Sequence, residues 1–326
     1  MSDDPTGPVP GLAEIRKADS RISRFVHRTP VMTCGGLDEL VGAALYFKCE
    51  NFQKAGAFKF RGAANAVMSL DAASARRGVA THSSGNYAQA LALAARMRGV
   101  TAQVVMPSNS SAPKKAAVAG YGARITECEP TLEARESTLA ELVERSGATF
   151  LHPYDDHRVI AGQGTSALEL LESVPGLDAV IAPVGGGGLL AGTALATRFV
   201  SRRTRVLAAE PQGADDAFRS LQAGRIIPSV EPDTIADGLL TSLGERNFPI
   251  IREHVERILT VSDAAIVRAM RLIWERMKIV VEPSAAVPLA ALLEKGGEAE
   301  LAGRRVGVVL SGGNVDLDRL PWSDGA

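Results

Sequence analysis

Short apolar runs recur along this chain, and each is followed by a longer stretch in which apolar positions return every three or four residues. The runs Ala44–Lys48, Val79–His82, Ala102–Met106, Arg124–Glu127, Ala179–Val184, Arg205–Ala209 and Arg304–Leu310 read as strands. The stretches Asn86–Arg98, Thr131–Ser146, Thr165–Glu172, Leu189–Val200 and Asp263–Lys278 read as helices. Strands alternating with helices at this spacing predict an α/β fold with mostly parallel sheets flanked by helices. Between about residues 75 and 152 lies a compact strand–helix series, and the segments on either side of it carry Gly-rich turns. The expected organisation is a discontinuous large domain, residues 1–74 and 153–326, interrupted by a smaller domain, residues 75–152. A cleft between two such lobes is a common place for a ligand.

Composition narrows the partners more than the fold. Hydrophobic residues make up 46% and charged residues 22% of the 326, an ordinary balance for a soluble globular protein. Formal net charge is -1 and no long Lys/Arg run occurs, so no field favours nucleic acid. No run approaches the roughly 20 apolar residues needed to span a bilayer. The opening MSDDPTGPVPGL lacks a basic region and an apolar stretch, and reads as a loose leader, not a signal peptide. Cys34, Cys49 and Cys128 form an odd set without C-x-x-C spacing, which suits reduced thiols and a cytoplasmic location.

Five segments carry candidate chemistry. In Lys54–Ala63 (KAGAFKFRGA), Lys59 follows a strand and a turn and sits between two aromatics at a helix start. Partial removal from water lowers an amine's pKa and frees it to form a Schiff base, although a snorkelling lysine would leave the same trace. Thr81–Gln89 (THSSGNYAQ) passes from a strand through Ser83, Ser84 and Asn86 into a helix, where open N–H groups suit a carboxylate or merely an ordinary cap. Val184–Gly192 contains Gly185, Gly186, Gly187 and Gly188 between strand and helix, a backbone able to converge on a phosphate. Gly186, Gly188 and Ala191 also satisfy G-x-G-x-x-A, with Glu210 at the end of the next strand, so a dinucleotide site competes here. Leu310–Asp316 (LSGGNVD) places the Ser311 hydroxyl at a strand end, where it can bond a ring nitrogen or belong to a plain Gly-rich turn. In Ala209–Asp216, Glu210, Asp216 and a backbone carbonyl could hold a hard divalent cation, or form a solvated acidic loop.

In this order the segments resemble the fold-type II pyridoxal-phosphate (PLP) enzymes, the serine racemase and serine/threonine dehydratase group. The resemblance runs through Lys54–Ala64, Thr81–Gln89, Ala161–Leu168, Ala182–Gly192, Ala208–Asp216, Thr234–Gly238, Trp274–Lys278, Glu282–Ala286 and Leu310–Asp316, nearly the whole chain. It implies a two-domain fold like that of the tryptophan synthase β subunit, with the active site in the interdomain cleft. It removes the dinucleotide reading, since a Rossmann protein has no need of the Lys59, Ser83–Asn86 and Ser311 segments. By resemblance Lys59 bears the cofactor on its amine and moves the Cα proton. Phe58 and Asn86 contact the cofactor ring, Gly185 through Gly188 with the Leu189 N–H bind its phosphate, and Ser311 bonds its pyridine nitrogen. Ser83, Ser84, Asn86 and the backbone near Tyr87 hold the substrate carboxylate. Glu210, the Ala214 carbonyl and Asp216 form a Mg²⁺ or Ca²⁺ site. The resemblance also implies a homodimer and admits a nucleotide effector, whose contacts form no motif. No regulatory domain is expected after Asp316.

The implied reaction is α,β-elimination from a small hydroxy-amino acid such as serine, threonine or a 3-substituted serine, giving a 2-keto acid and ammonia. The family's racemases use a serine opposite the lysine as second base, and Ser84 matches it, so racemisation is the competing reaction. A non-catalytic ligand sensor on the same fold is the third reading. Two positions depart from the family: Tyr87 replaces a usual histidine, and Ala57 a usual serine. Tyr87 leaves the β-substituent open between an aromatic group, as in 3-phenylserine, and a carboxylate, as in 3-hydroxyaspartate, for which Arg135 supplies a cation.

Overall fold

The computed structural model describes residues 7–110, 112–296 and 299–322; the first six residues of the expected leader lie outside that range. The strands are β1 Val31–Met32, β2 Ala44–Cys49, β3 Val79–His82, β4 Ala102–Pro107, β5 Arg124–Cys128, β6 Thr149–Phe150, β7 Ala179–Pro183, β8 Arg205–Pro211, β9 Arg257–Val261 and β10 Arg305–Leu310. They form a six-stranded sheet in the order β1-β2-β10-β7-β8-β9 and a four-stranded sheet in the order β5-β4-β3-β6. The β1–β2 pair is antiparallel and every other pair is parallel.

Side chains alternate across a strand, so neighbours in one strand enter different cores. In β7, Ala179 and Ile181 join the cluster around the helix Pro283–Lys295. Val180 and Ala182 join the cluster built on the helices His157–Ser173 and Gly188–Val200. Both faces of the larger sheet are therefore covered, which explains why β7 and β10 read as unbroken apolar runs.

Three strands escape the sequence pattern. β1 and β6 have two residues each, and β9 is an edge strand that begins at an exposed arginine. One helix also begins earlier than predicted, at His157 instead of Thr165, because the Asp156 side chain accepts from the Arg158 N–H at 2.8 Å and caps it. The predicted helix Asp263–Lys278 is α-helical to Leu272 and continues as a π turn, Ile273–Met277, before Lys278 takes a left-handed φ of 59°.

The helix Lys59–Ser69 packs on the helix Asn86–Arg98, with Phe60, Ala63 and Val67 sharing a core with Tyr87, Leu91 and Ala94. This core spans both sides of residue 75. No helix among the described residues is long and apolar enough to cross a membrane, and all three cysteines are unpaired.

Candidate active site

Four parallel strands end toward the candidate segments: β2 precedes the Lys59 turn, β3 leads into Ser83–Asn86, β7 into the glycine run and β10 into Ser311. Carboxyl ends of such strands are where α/β sheets open their ligand clefts. The Lys59 turn is sewn to the Ser311 loop by backbone bonds, Phe58 N–H to the Ser311 carbonyl at 2.9 Å and Gly313 N–H to the Gly56 carbonyl at 2.9 Å. Gly56 has a φ of 71°, and a Cβ there would collide with the Asn314 side chain, so both conformation and space require glycine.

The Lys59 amine donates to the Pro153 carbonyl at 3.0 Å and lies 5.2, 5.9 and 5.8 Å from the rings of Phe58, Tyr87 and Tyr154. Burial drives its pKa down to about 8, against an opposing pull from the Glu282 carboxylate. About a tenth of the amine is therefore free base at pH 7, far more than for an exposed lysine. Two residues on, fully buried Arg61 anchors the same helix. Its guanidinium grips Glu50 at 2.7 and 2.9 Å and both oxygens of Glu169 at 2.8 Å, while Lys48 pairs with Glu169 at 2.6 Å. Four buried charges of balanced sign thus fix the helix that begins at Lys59.

Asn86 donates to both Glu282 oxygens, at 2.9 and 3.1 Å, and accepts from the Asn314 amide at 2.9 Å. This fixes which end of the Asn86 amide is the donor. Glu282 also accepts from the Asn314 N–H at 3.1 Å, and its pKa is pushed up to about 7, first by burial and then by Asp237. Glu282 is the main participant that sequence reading passed over; it lies within a segment singled out for resemblance, yet its partners are remote in the chain.

The glycine run fits an anionic ligand. Gly185 through Leu190 are buried, and their N–H groups have no acceptor among the described residues. They open the 13-residue helix Gly188–Val200, whose N-terminus favours negative charge. A Cβ on Gly186 would press into the Tyr154 ring, and one on Gly188 would meet the Tyr154 carbonyl at 2.9 Å. So many unpaired buried donors are costly unless a phosphate meets them. Ser311, 2% exposed, makes no side-chain hydrogen bond among the described residues, which leaves its hydroxyl available to a ring nitrogen. These features together fit PLP.

On the substrate side, the Ser83 hydroxyl accepts from the Gly85 N–H at 3.3 Å, and the N–H groups of Asn86 and Tyr87 have no acceptor among the described residues. Ser84 is half-buried in the same turn. The Tyr87 side chain points into the core, 2% exposed, with its hydroxyl unpartnered, so the ring forms a wall beneath Lys59. Arg135 lies on the helix Leu132–Ser146, and its charge reaches both His82 and Tyr154. Burial first and Arg135 second hold His82 down at about 4. His152, held down to about 3 chiefly by burial, accepts at Nδ1 from the Tyr154 and Asp155 N–H groups at 3.3 and 2.9 Å. Both imidazoles are therefore neutral at physiological pH.

Farther along, Glu210 accepts from the Ala217 and Phe218 N–H groups at 3.0 and 2.8 Å, and Ala214 and Asp216 lie buried beside it. Burial raises Glu210 to about 9 and Asp216 to about 6, and one Asp216 oxygen has no partner. A cation would relieve both costs.

The pyridoxal-phosphate dependent enzyme family model matches residues 22–312. The chain is 54% identical over 315 residues to a beta-hydroxyaspartate dehydratase of Paracoccus denitrificans, covering 97% of this chain and 99% of that one. It is 49% identical over 312 residues to the L-threo-3-hydroxyaspartate ammonia-lyase of Saccharomyces cerevisiae, covering 95% of each. Among solved structures it is similar to the serine racemase of Dictyostelium discoideum, with a TM-score of 0.91, 49% identity, and coverage of 95% of this chain and 100% of that one.

Proposed function

The chain belongs to the pyridoxal-phosphate dependent enzyme family, and from that premise we propose that it eliminates ammonia, by way of dehydration, from a β-hydroxy-α-amino dicarboxylate such as 3-hydroxyaspartate. Water is lost across Cα–Cβ, and the released enamine hydrolyses to a 2-keto acid and ammonia. The observation that carries this reading is the placement of the Lys59 amine, bonded to the Pro153 carbonyl and beside Tyr154, whose ring lies on Gly186, in a turn joined to the Ser311 loop. When bound, PLP supplies the electron sink for Cα deprotonation.

Lys59 would hold the cofactor through its amine and, once the substrate's amino group has replaced it there, would take the Cα proton at its freed Nζ. Asn86, its amide oriented by Glu282 and Asn314, would offer one of its two Nδ2 hydrogens to the cofactor's phenolic oxygen and keep the other on Glu282. Phe58 would face the ring, the N–H groups of Gly185 to Leu189 would hold the phosphate, and Ser311 would bond the pyridine nitrogen as a neutral partner. Ser83, Ser84, Asn86 and the Tyr87 N–H receive the α-carboxylate, and Arg135 receives the distal one. The four-stranded sheet, drawn wholly from β3 to β6, supports the proposed small domain 75–152. The unpaired thiols support a cytoplasmic setting. The homodimer and nucleotide effector are carried into this reading by the resemblance alone.

A second reading, racemisation, is favoured by Ser84 and by the similarity to serine racemases. One assay separates the two: holoenzyme with L- and D-serine, L-threonine, threo-3-hydroxyaspartate and 3-phenylserine, measuring keto acid and chiral amino acid. Keto acid should form fastest from 3-hydroxyaspartate, and Arg135→Ala should cost that substrate about 10-fold or more in kcat/KM while affecting serine little. Faster accumulation of D-serine than of any keto acid would reverse the order of the two readings.

A divalent cation, Mg²⁺ or Ca²⁺, at Glu210, the Ala214 carbonyl and Asp216 is part of the proposal. Chelation is expected to lower Tm by roughly 3 °C, as loss of about 2 kcal/mol of ligand stabilisation would. An unchanged melting curve would count against the site.

A further inference from the structure

Asn247 opens the helix Asn247–His254 and is fully buried, yet it touches none of the residues that the sequence motifs singled out except through the glycine run. Its Nδ2 donates to the Gly186 carbonyl at 2.7 Å and to the Tyr154 carbonyl at 3.1 Å. The Gly244 N–H also donates to the Gly186 carbonyl, at 3.1 Å. Two carbonyl acceptors fix the orientation of the Asn247 amide, because the flipped form would set three oxygens against one another. The structure retains this orientation although it leaves Asn247 Oδ1 buried without a partner, a cost of about 1–3 kcal/mol.

The geometry of one peptide unit explains what that cost maintains. Gly186 C=O and Gly187 N–H belong to the same trans peptide and point in opposite directions. Holding the carbonyl toward Asn247 and Gly244 aims the Gly187 N–H the other way, out of the packed side formed by Ile251, Leu243 and Asn247. Glycine peptides turn easily, and Gly187 itself has a φ of 91°, so without the clamp this plane is free to rotate. The same amide ties down Tyr154, whose ring lies on Gly186 and whose neighbour Pro153 supplies the acceptor for Lys59. The neighbouring turn is braced as well, since Asp155 accepts from the Arg246 N–H at 2.9 Å.

We propose that Asn247 is a positioning residue for the phosphate-binding turn, setting the Gly186–Gly187 peptide so that its N–H faces the anion. This inference rests on the reading of Gly185 through Leu189 as the phosphate cradle.

The test compares ligands with and without the phosphate on the full-length protein. Half-saturating concentrations of PLP and of pyridoxal are read from visible absorbance, and the ³¹P resonance of the bound phosphate is recorded on holoenzyme. Wild type should hold PLP far more tightly than pyridoxal; equal affinities would overturn the cradle reading and with it the inference. Asn247→Ala should weaken PLP about 10- to 100-fold, the worth of a lost hydrogen bond to a charged group, while pyridoxal changes less than about threefold. The ³¹P resonance should move in the variant. Asn247→Ser retains one donor and should fall between, and it decides the matter if the alanine variant does not fold. A wild-type preference that survives unchanged in the variants, or equal losses for both ligands, would leave the cradle standing and overturn the role of Asn247.

Discussion

Replacing Lys59 with alanine is expected to reduce turnover by about 10⁴-fold or more, because a single amine serves as both covalent anchor and proton carrier. The visible absorbance of covalently held cofactor should disappear with it. The fold should survive, since the amine makes one side-chain hydrogen bond and its cationic form is disfavoured by burial. Its pKa is lowered in the folded protein, so the cost of keeping it charged is fully present below about pH 8 and fades as pH rises toward the unfolded value. Stability of the variant relative to wild type should therefore be no worse at pH 7 and lose any advantage near pH 10. Retained turnover in a folded Lys59→Ala protein would remove the basis of the proposed chemistry.

Glu282→Gln is expected to change the pH dependence of stability by about 3 kcal/mol in cofactor-free protein. Glu282 is 3% exposed and its folded pKa of about 7 lies above the unfolded value. Between about pH 4.5 and 7 the native state holds a proton that the unfolded chain has released. Its favourable contribution is whole at low pH and is lost as pH rises through 7. Glutamine cannot ionise, so the stability of the variant minus that of wild type should rise by about that amount from pH 4 to pH 8. Loss of a hydrogen bond to Asn86 or Asn314 shifts the whole difference by about 1–2 kcal/mol without changing its slope. Denaturant midpoints at several pH values measure it, and parallel profiles would refute the assignment of this buried carboxylate. Removing its negative charge should also lower the Lys59 pKa further, since that charge now raises it.

The legible parts of the fold were those whose environment is uniform. β7 and β10 are covered on both faces, and their apolar runs say so; β9 borders solvent, and β1 and β6 are too short to show a pattern. The front half of the helix His157–Ser173 was obscured by Gly162 and Gly164, which look like breakers in sequence. In the structure they are close crossings, with Gly162 against the Gly62 backbone and Gly164 against Gly192. The candidate site divides in the same way. Turns that follow strands carry local signatures, and Lys59, Ser83–Asn86, Gly185–Gly188 and Ser311 were all found through them. Asn86 with Glu282, Lys59 with Pro153 and Gly186 with Asn247 are pairings between distant segments, and no local pattern encodes a meeting made only by the completed fold.

The Lys59 amine rests against the carbonyl of residue 153, and every amino acid carries a carbonyl. Replacing Pro153 can shift that acceptor but cannot delete it. Glu282 and Asn247 offer no such protection, because one base change can strip either of its functional atoms. Within one site, then, hereditary risk is uneven: the lysine's resting place is insured by the main chain, while the groups that orient its neighbours are exposed to drift. A survey of random variants should find inactivating changes at 247 and 282 more often than at 153.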